Sequence, residues 1–442
     1  MDIKLSDSFT INKLIRFTIP SIIMMVFISI YGVVDGFFIS NFVGEIEFAS
    51  VNFIFPFISI LGSFGFLVGT GGSALVSKTL GEKDYQKANE VFSLLVYMII
   101  GLGIILAIIG FFNMERIAIL LGADQDMVNP CVIYGQILMF TLPFLLLQFT
   151  FQSFLITAEK PHVGLIITLI SGITNIILDL FFIAIFKWGI VGAACATGFS
   201  QVLGGIIPLL YFIFNRKNNI KLGKTKIYLK DIGKTCVNGS SEFISNISMS
   251  LVGMLYNYQL MKYIGNYGVA AYGTYMYVSF IFVAIFIGYT SGVSPIIGYN
   301  YGAQNTIELK KIFKMSIKLV LFTSIVMAIL AESLAAPLSK IFVGYNLELL
   351  EITKKALQIS SLCFIFSGIA IFSSGFFTAL NDGITSAIIS FLRTLVIQIG
   401  AVIILPLIFK VNGIWYSIVV AEAVAASLAI TFLTIKRKKY DY

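Results

Sequence analysis

Four oxygen-bearing side chains in the first half of this sequence have the types and spacing of an ion-binding cluster. Asp35 lies near the end of one apolar run, Thr197 lies near the start of another, and Asn175 and Asp179 are one helical turn apart on a third. With the rise of an α-helix, Asp35, Asp179 and Thr197 are expected roughly 8–10 Å deep from the outer side of the membrane, with Asn175 one helical turn further in. This common depth predicts that the four side chains meet within one helix bundle.

Two chemistries fit such a cluster. Two carboxylates in a low-dielectric bundle cannot both stay ionised at low cost, so the pair can hold a proton at neutral pH. Alternatively, Asp, Asn and Thr oxygens can replace the water shell of Na⁺. Ionisable residues at membrane depth are costly and are candidate functional residues by default. The cluster is therefore predicted to respond to H⁺ or Na⁺. The structural alternative is that Asp35 and Asp179 bond local backbone or hydroxyl groups.

The second half carries a different set of polar candidates. Glu242 follows the small residues 239–241, which open the helix surface, and is a candidate substrate-facing acid. Asn257, further along the same run, is a weaker cavity candidate, as is its neighbour Tyr256. Arg393 and Glu422 lie nearer the middle of their runs, and an ion pair between them would satisfy the arginine.

The first apolar run contains a proline and two methionines. Pro20 lacks an N–H and leaves a backbone carbonyl unpaired, which permits a kink. A bend there would couple protonation of Asp35 to the shape of a cavity; the alternative is a static kink. Met24 and Met25 are flexible thioethers that could line an adaptable pocket, although methionine also occurs by chance in apolar helices.

The composition shows which elements position these residues. The chain has 442 residues, of which 58% are hydrophobic and only 12% charged, whereas a soluble domain has about 25% charged residues. The apolar residues form runs long enough to cross a bilayer as helices. We predict an all-α integral membrane protein of twelve transmembrane helices, at about 13–40, 48–78, 89–112, 128–156, 162–187, 190–214, 236–262, 268–296, 312–331, 353–379, 383–409 and 413–435.

The distribution of basic residues predicts the orientation. Of the 30 Lys and Arg residues, 22 fall on the side that carries both termini. Because cytoplasmic loops are enriched in Lys and Arg, both termini are expected to be cytoplasmic. The basic segment 215–235 is then a solvated cytoplasmic linker, or alternatively a lipid-binding site. The net charge of +8 needs no nucleic-acid partner.

The second half of the chain repeats the first. An offset of 221 residues places Gly71 and Gly81 on Gly292 and Gly302, and it also aligns Thr157-Ala158 with Thr378-Ala379. Two six-helix lobes are expected, an N-lobe at 1–214 and a C-lobe at 236–442, related by a pseudo-two-fold axis along the membrane normal. This architecture is typical of alternating access. No acidic residue in the C-lobe corresponds to Asp35 or Asp179.

Taken together, these motifs resemble the multidrug and toxic compound extrusion (MATE) family, and most closely its DinF-like branch, which includes multidrug exporters of low-GC Gram-positive bacteria. The resemblance covers essentially the whole chain. It rests on Pro20 and Asp35 followed by Gly44, on Gly81-Glu-Lys-Asp followed by Ala88, on Asn175-x-x-x-Asp179, on Gly189-x-x-Gly-Ala-Ala-x-Ala-Thr197, on Asn238-Gly-Ser-Ser-Glu242 and on Tyr299-Asn-Tyr-Gly-Ala303.

The resemblance implies an antiporter of the bacterial cytoplasmic membrane that expels cationic amphipathic compounds in exchange for H⁺ or Na⁺. It also implies that Asp35, Asn175, Asp179 and Thr197 form the cation site of the first lobe, with Tyr31 as a nearby aromatic that we assign to the substrate cavity. We expect the protein to act as a monomer, with no cofactor other than the coupling ion.

Two other functions fit a polytopic membrane protein less well. A lipid-linked oligosaccharide flippase of the same superfamily needs several basic residues in a large cavity, and only Arg393 is basic well inside a span. A polytopic membrane enzyme needs a catalytic cluster. The single histidine, His162, lies beside Pro161 at a span start, and no HExxH, CxxC, GxSxG or Walker motif occurs.

Overall fold

The computed structural model describes residues 3–215 and 219–442. These residues form thirteen α-helices and two short π-helical segments, with no strand in the described part of the chain. The helices are α1 Ile11–Phe42, α2 Glu45–Gly81, α3 Tyr85–Leu121, α4 Gln125–Thr157, α5 Pro161–Asp179, α6 Gly189–Phe214, α7 Leu229–Tyr263, α8 Asn266–Gly302, α9 Thr306–Val343, α10 Leu347–Ser361, α11 Phe364–Ala379, α12 Gly383–Phe391 and α13 Ile397–Tyr440. The π-helical segments are Leu180–Ile185 and Leu392–Val396.

These elements make the twelve predicted spans. Among the described helices, nine are long and apolar enough to cross a membrane, and the bent pair α10–α11 makes a tenth span. Helix α7 is long enough, with 35 residues, but it carries more polar residues. The run Gly383–Tyr440 counts as two spans because Lys410 has a non-helical φ of 51° and ψ of −130°. The predicted fold class is confirmed.

A contact across Lys410 demonstrates the reversal. Arg393 and Glu422 are 29 residues apart, which is about 43 Å along a straight helix. Their side chains nevertheless meet at 3.0 Å. The chain therefore folds back at Lys410, so that α12, the π-helical segment and the start of α13 form the eleventh span and the rest of α13 forms the twelfth.

The loops show why equivalent helices begin and end at equivalent residues. Lys83, Glu159 and Lys187 have left-handed backbones in the first half, and Gln304, Asn381 and Lys410 have them in the second. The side chain of Asp84 accepts a hydrogen bond from Lys87 N at the start of α3, and that of Asn305 accepts one from Glu308 N at the start of α9. Such caps satisfy the otherwise unpaired N–H groups of a first turn. The repeat therefore extends to the turns.

The two lobes contact each other where helices cross so closely that only glycine fits. Gly81 on α2 packs against the carbonyl of Tyr299, and Gly302 on α8 packs against the carbonyl of Lys78, with no room for a Cβ atom at either glycine. The two contacts exchange under the 221-residue shift, as a two-fold axis along the membrane normal requires. Gly71 approaches Thr235 on α7 in the same way. All these contacts lie in the half of the membrane nearest the chain termini, which we call the terminal side.

An N-terminal segment ties the two lobes together on the terminal side. Leu5 N donates to Glu159 Oε1 at 2.7 Å in the first lobe, and Phe9 N donates to Glu308 Oε1 at 2.7 Å in the second. Both Leu5 and Phe9 are buried. Burial also raises the pKa of Glu159, although its bond from Leu5 N and the charge of Lys4 oppose the shift. The terminal side of the molecule is thus closed by packing and by hydrogen bonds.

The segment between the lobes is shorter than predicted. Helix α7 begins at Leu229, inside the range 215–235 that the sequence analysis assigned to the linker. Its first turn is polar and docks on the first lobe, since Asp231 pairs with Lys87 at 3.7 Å. Apolar periodicity marks only the membrane-embedded part of a helix, which explains why the sequence predicts the start of α7 at about 236 and not at Leu229. Arg216, Lys217 and Asn218 of the linker lie outside the described residues.

Candidate functional site

Three helices of the first lobe bring the predicted cluster together. Helix α1 packs against α5 and α5 packs against α6, and Ser171 Oγ donates to the carbonyl of Ser200 at 2.6 Å, which fixes α5 against α6. Asp35 lies seven residues before the end of α1 at Phe42, and Asp179 is the last residue of α5. Because the π-helical segment Leu180–Ile185 continues α5, the cluster is held about 10 Å from the ends of these spans, on the side opposite the termini.

The four predicted residues do converge. The Asp35 carboxylate lies within hydrogen-bonding range of Asp179, Asn175 and Thr197. Asn175 and Asp179 are 1% and 0% exposed, so the α5 side of the cluster has no access to lipid. The depth argument from the sequence thus places these side chains correctly, and their ion-binding role remains a prediction.

The polar atoms of the cluster are short of partners. Five side-chain atoms of the cluster are buried and make no hydrogen bond of standard geometry within the described residues. They are Asp179 Oδ1 and Oδ2, Asp35 Oδ1, Asn175 Nδ2 and Thr197 Oγ1. An unpaired buried polar group costs about 1–3 kcal/mol. Asp35 nevertheless lies beside the Thr197 hydroxyl, so the ion-binding role and the alternative, in which the two acids bond local groups, both stay predictions. Oxygens in this number and type suit a proton shared between carboxylates or a Na⁺ ion.

The backbone changes form at this site. The π-helical segment Leu180–Ile185 begins directly after Asp179. A π-helical turn inserts a residue relative to the α-helical register and occurs frequently at functional sites. The wider turn alters the direction of the side chains that follow Asp179 within the lobe. The sequence pattern, which shows one continuous apolar run here, contains no signal for it.

Sequence reasoning missed one member of the site. Tyr134 on α4 is 1% exposed, and its hydroxyl lies beside Thr197 and close to Asp35 and Asp179. Helix α4 also joins α6 through the bond from Thr141 Oγ1 to Gln201 Oε1 at 2.7 Å. A tyrosine in an apolar run is indistinguishable from a core aromatic in the sequence. Only the packing of α4 on α6 places this hydroxyl in the cluster.

The remaining first-lobe candidates lie along α1. Tyr31 packs on α5 at Gly172, near the cluster, and its ring lies 5.9 Å from that of Phe27. Tyr31 does not line the central cavity described below. Pro20 lies inside α1, which remains helical through it. Its role in a conformational change stays a prediction.

A cavity of about 300 Å³ occupies the second lobe and is closed on one side by α1. Met25, Ile28 and Ser29 are its α1 contribution. Helices α7 and α8 add aromatic and thioether groups, among them Tyr256, Tyr272, Tyr275, Met249 and Met276, and the later helices of the second lobe complete the wall. The rings of Tyr256 and Tyr272 stack at 5.2 Å. Aromatic and thioether walls accommodate flat or irregular apolar ligands.

The methionine and asparagine predictions for this cavity need correction. Met24 is 1% exposed and faces α5 near Gly164, whereas its neighbour Met25 lines the cavity. Asn257 is exposed and does not line this cavity, whereas its neighbour Tyr256 does. Both errors have one cause. Adjacent helical residues differ by about 100° in direction, and tertiary packing alone decides which of the two faces inward.

The charges of the cavity do not cancel. Arg393 Nε donates to both carboxylate oxygens of Glu422 at 3.1 and 3.0 Å, so the predicted ion pair exists. Glu242 also lines the cavity and lies close enough to Arg393 for the two charges to interact electrostatically. Within the described residues, the Glu242 carboxylate makes no hydrogen bond or ion pair. One acid therefore remains uncompensated in the cavity wall.

Both halves of the chain match one family model. The MatE model matches residues 20–181 and again residues 243–404, together well over half of the chain. The chain belongs to the MatE family. The two matched segments fall in the two lobes, which is the duplication that the 221-residue repeat predicts. The predicted family is thus confirmed.

Named relatives and a solved structure agree with this assignment. The multidrug export protein MepA of Staphylococcus saprophyticus is 29% identical over 96% of this chain and 94% of its own length. MepA of Staphylococcus aureus is 28% identical over 97% of this chain and 94% of its own length. A structure described as the outward-facing conformation of a multidrug resistance MATE family transporter has a TM-score of 0.93, 20% identity, and covers 98% and 97% of the two chains.

These relatives are membrane transporters, so this chain is an integral membrane transporter and not an enzyme. The likeness to the solved structure, at 20% identity, bears on the fold alone. Neither comparison bears on the coupling ion or on the roles of individual residues. Those depend on the geometry of the cluster and of the cavity.

Proposed function

We propose that this chain is a secondary antiporter that exports cationic amphipathic small molecules in exchange for H⁺ or Na⁺. The observation that carries the proposal is the division of charge between the lobes. A buried cluster around Asp35 and Asp179 has polar atoms that make no hydrogen bond of standard geometry among the described residues, and a separate cavity presents the uncompensated Glu242. The cluster is suited to a small cation, and the cavity is suited to a larger organic cation. Multidrug export is also the printed function of the MepA relatives.

Helix α1 contributes residues to both the cluster and the cavity. It carries Asp35 in the cluster and Met25 and Ser29 in the cavity wall. Asp35 and Ser29 are six residues apart, about 9 Å along the helix. A change in the charge of Asp35 therefore acts on a helix that also shapes the cavity. In this proposal a shift of α1, with Pro20 as its flexible point, converts ion binding into release of the substrate.

The lining of the cavity supports the proposed preference for organic cations. An acid beside aromatic faces attracts a cation through its charge and through the ring quadrupoles. Glu242 supplies the charge, and Tyr256, Tyr272 and Tyr275 supply the aromatic walls. The methionine side chains adapt to different substrate shapes, as expected of a site with broad specificity.

The distribution of basic residues supports the proposed orientation. Most Lys and Arg residues lie on the terminal side, so we place both termini in the cytoplasm of a bacterial cell, in its cytoplasmic membrane. The tight closure of the terminal side then corresponds to a state whose cavity is closed to the cytoplasm. Cluster and cavity lie within one chain, and the protein is proposed to act as a monomer.

Ethidium efflux from proteoliposomes tests the proposal. We expect efflux when an inward H⁺ gradient or an inward Na⁺ gradient is imposed, and none when both gradients are absent. The response to each gradient applied separately identifies the coupling ion. Liposomes that contain the Asp35→Asn variant serve as the control. Efflux that depends on neither gradient, or that persists in this variant, contradicts ion-coupled antiport through the cluster.

A further inference from the structure

A second group of polar side chains lies inside the first lobe, apart from the cluster. Gln148 and Gln152 on α4 and Thr168 on α5 are buried and line one cavity of about 10 Å³, which is about the space of one water molecule. Gln152 is only 5% exposed, and both its amide atoms, Oε1 and Nε2, make no hydrogen bond within the described residues. Because an unpaired buried amide is costly, its presence calls for a ligand or a function.

Helix α6 adds a backbone oxygen to the same cavity. Gly204 and Pro208 both line it. Because proline has no N–H, the carbonyl of Gly204 lacks the helical hydrogen bond that residue 208 would otherwise donate. The glycine also makes room for an amide, since a Cβ atom there would lie 2.5 Å from Cδ of Gln148. Two amides, a hydroxyl and a carbonyl therefore meet in one place, which we call the amide site: Gln148, Gln152, Thr168 and Gly204.

Polar residues on α5 connect the amide site to the cluster. Asn175, Ser171 and Thr168 follow Asp179 at intervals of three or four residues, and all four side chains are buried. This spacing puts them on one face of the helix. Thr168 lies about 17 Å from Asp179 along the helix and about 10 Å from the start of α5 at Pro161, on the terminal side. The amide site therefore lies between the cluster and the terminal side.

The second lobe has different side chains at the equivalent positions. The 221-residue offset sets Ser373 opposite Gln152 and Ile369 opposite Gln148. Ser373 Oγ donates to the carbonyl of Ile369 at 2.6 Å, so this hydroxyl is satisfied within its own helix. The amide that makes no hydrogen bond within the described residues thus belongs to the lobe that carries the cluster.

We propose that the amide site is a transit site for the coupling ion, which leaves the cluster through the first lobe toward the terminal side. Its ligand is a small monovalent cation, either Na⁺ or a proton carried by one water molecule as hydronium. Neutral oxygens replace part of a hydration shell but attract a cation less than carboxylates do, and conduction needs sites that an ion can leave. Leu155 and Pro208, which line the cavity toward the terminal side, form the barrier against a leak. This inference rests on the proposed function, because it names the route of the same coupling ion.

The Gln152→Met variant tests the transit site, because methionine fills a similar space without an amide. Ethidium efflux from proteoliposomes is driven by an H⁺ gradient in one series and by a Na⁺ gradient in another. Pyranine fluorescence or ²²Na⁺ uptake reports which ion enters. We expect the maximal efflux rate to fall about tenfold, as for the loss of one charge-assisted contact during transit. The ion concentration at half-maximal rate and the ethidium affinity should stay within about twofold of the wild type.

The outcomes separate this inference from the proposed function. A wild-type maximal rate in Gln152→Met overturns the transit site and leaves ion-coupled antiport standing. A fall in rate with an equally weakened ion affinity also overturns it, because Gln152 then acts at the cluster. Efflux from the wild type that depends on neither gradient contradicts the proposed function, and the transit site with it.

Two matched variants distinguish transit from a structural role. Gln152→Asn keeps an amide and should retain at least about a third of the wild-type rate. Ser373→Ala changes the equivalent residue of the second lobe and should leave the rate unchanged. Losses in either variant as large as that in Gln152→Met overturn the proposal. If Gln152→Met fails to fold, Thr168→Val removes one hydroxyl of the site at nearly constant volume, and the same fall in maximal rate is expected.

Discussion

The two lobes place different chemistry at equivalent positions of one scaffold. In the first lobe, Asp35 and Thr197 belong to a cluster with buried atoms that lack partners among the described residues. The 221-residue offset sets Tyr256 opposite Asp35. In the second lobe the Tyr256 hydroxyl lies 2.9 Å from Gln398 Oε1 and 2.8 Å from Ser417 Oγ. The second-lobe group is neutral and paired.

The difference shows what duplication has changed and what it has kept. Neutral, paired groups stabilise a helix bundle and have little reason to respond to an ion gradient. Unpaired acids at the same depth are costly, and their cost is relieved when a cation or proton binds. We infer that the first lobe retains the ion chemistry. The second lobe exchanges it for a substrate cavity, in which Glu242 and Arg393 provide the charges.

The largest effect is expected from removing a first-lobe acid. The Asp35→Asn variant should reduce gradient-driven ethidium efflux to the rate of protein-free liposomes, because the cluster can no longer exchange a charge. Ethidium binding in detergent should stay within about twofold of the wild type, since the cavity acid is untouched. The matched second-lobe variant Tyr256→Phe should keep its dependence on the gradient. Loss of gradient dependence in Tyr256→Phe would erase the distinction between the lobes.

The cavity acid should show the opposite pattern. The Glu242→Gln variant is expected to weaken ethidium binding about tenfold, as for the loss of one charge-assisted contact. Residual efflux measured at saturating dye should still respond to the imposed gradient. Anisotropy titrations and proteoliposome efflux measure the two properties separately. Unchanged affinity together with lost gradient dependence would move the ion chemistry into the second lobe.

A smaller effect is expected from Tyr134, which the sequence did not indicate. The Tyr134→Phe variant removes one hydroxyl beside Thr197 and leaves the ring in its buried position. Loss of one neutral hydrogen-bonding group is worth about 1 kcal/mol, so the apparent affinity for the coupling ion should fall several-fold. The dependence of efflux rate on H⁺ or Na⁺ concentration measures this. Tyr211→Phe, at a half-buried position of α6, is the control and should leave that dependence unchanged.

The smallest effect is expected from Asn257 on α7. Its side chain is exposed and does not line the cavity, so Asn257→Ala should alter neither ethidium affinity nor efflux, and thermal stability should change by no more than about 0.5 kcal/mol. A pronounced loss of ethidium affinity in Asn257→Ala would restore the sequence-based assignment of this residue to the substrate cavity.

Much of the molecule is determined by local sequence. Apolar runs of bilayer length specify the helices, because unpaired backbone groups are not tolerated in lipid. The fixed rise of a helix is sufficient to bring Asp35, Asn175, Asp179 and Thr197 to one depth. The repeat, read from matching glycines such as Gly81 and Gly302, is sufficient to predict two lobes. These features depend on neighbours in the chain and on distance along one helix, which the sequence contains directly.

Tertiary structure decided the features that depend on helix rotation and on neighbours from other helices. Tyr134 belongs to the cluster and Asn257 does not belong to the cavity. Arg393 pairs with Glu422 and leaves Glu242 free, although the sequence permits either acid as its partner. Depth along a helix is set by the count of residues, whereas the direction of a side chain around the axis is set by packing. That direction determines which charges meet.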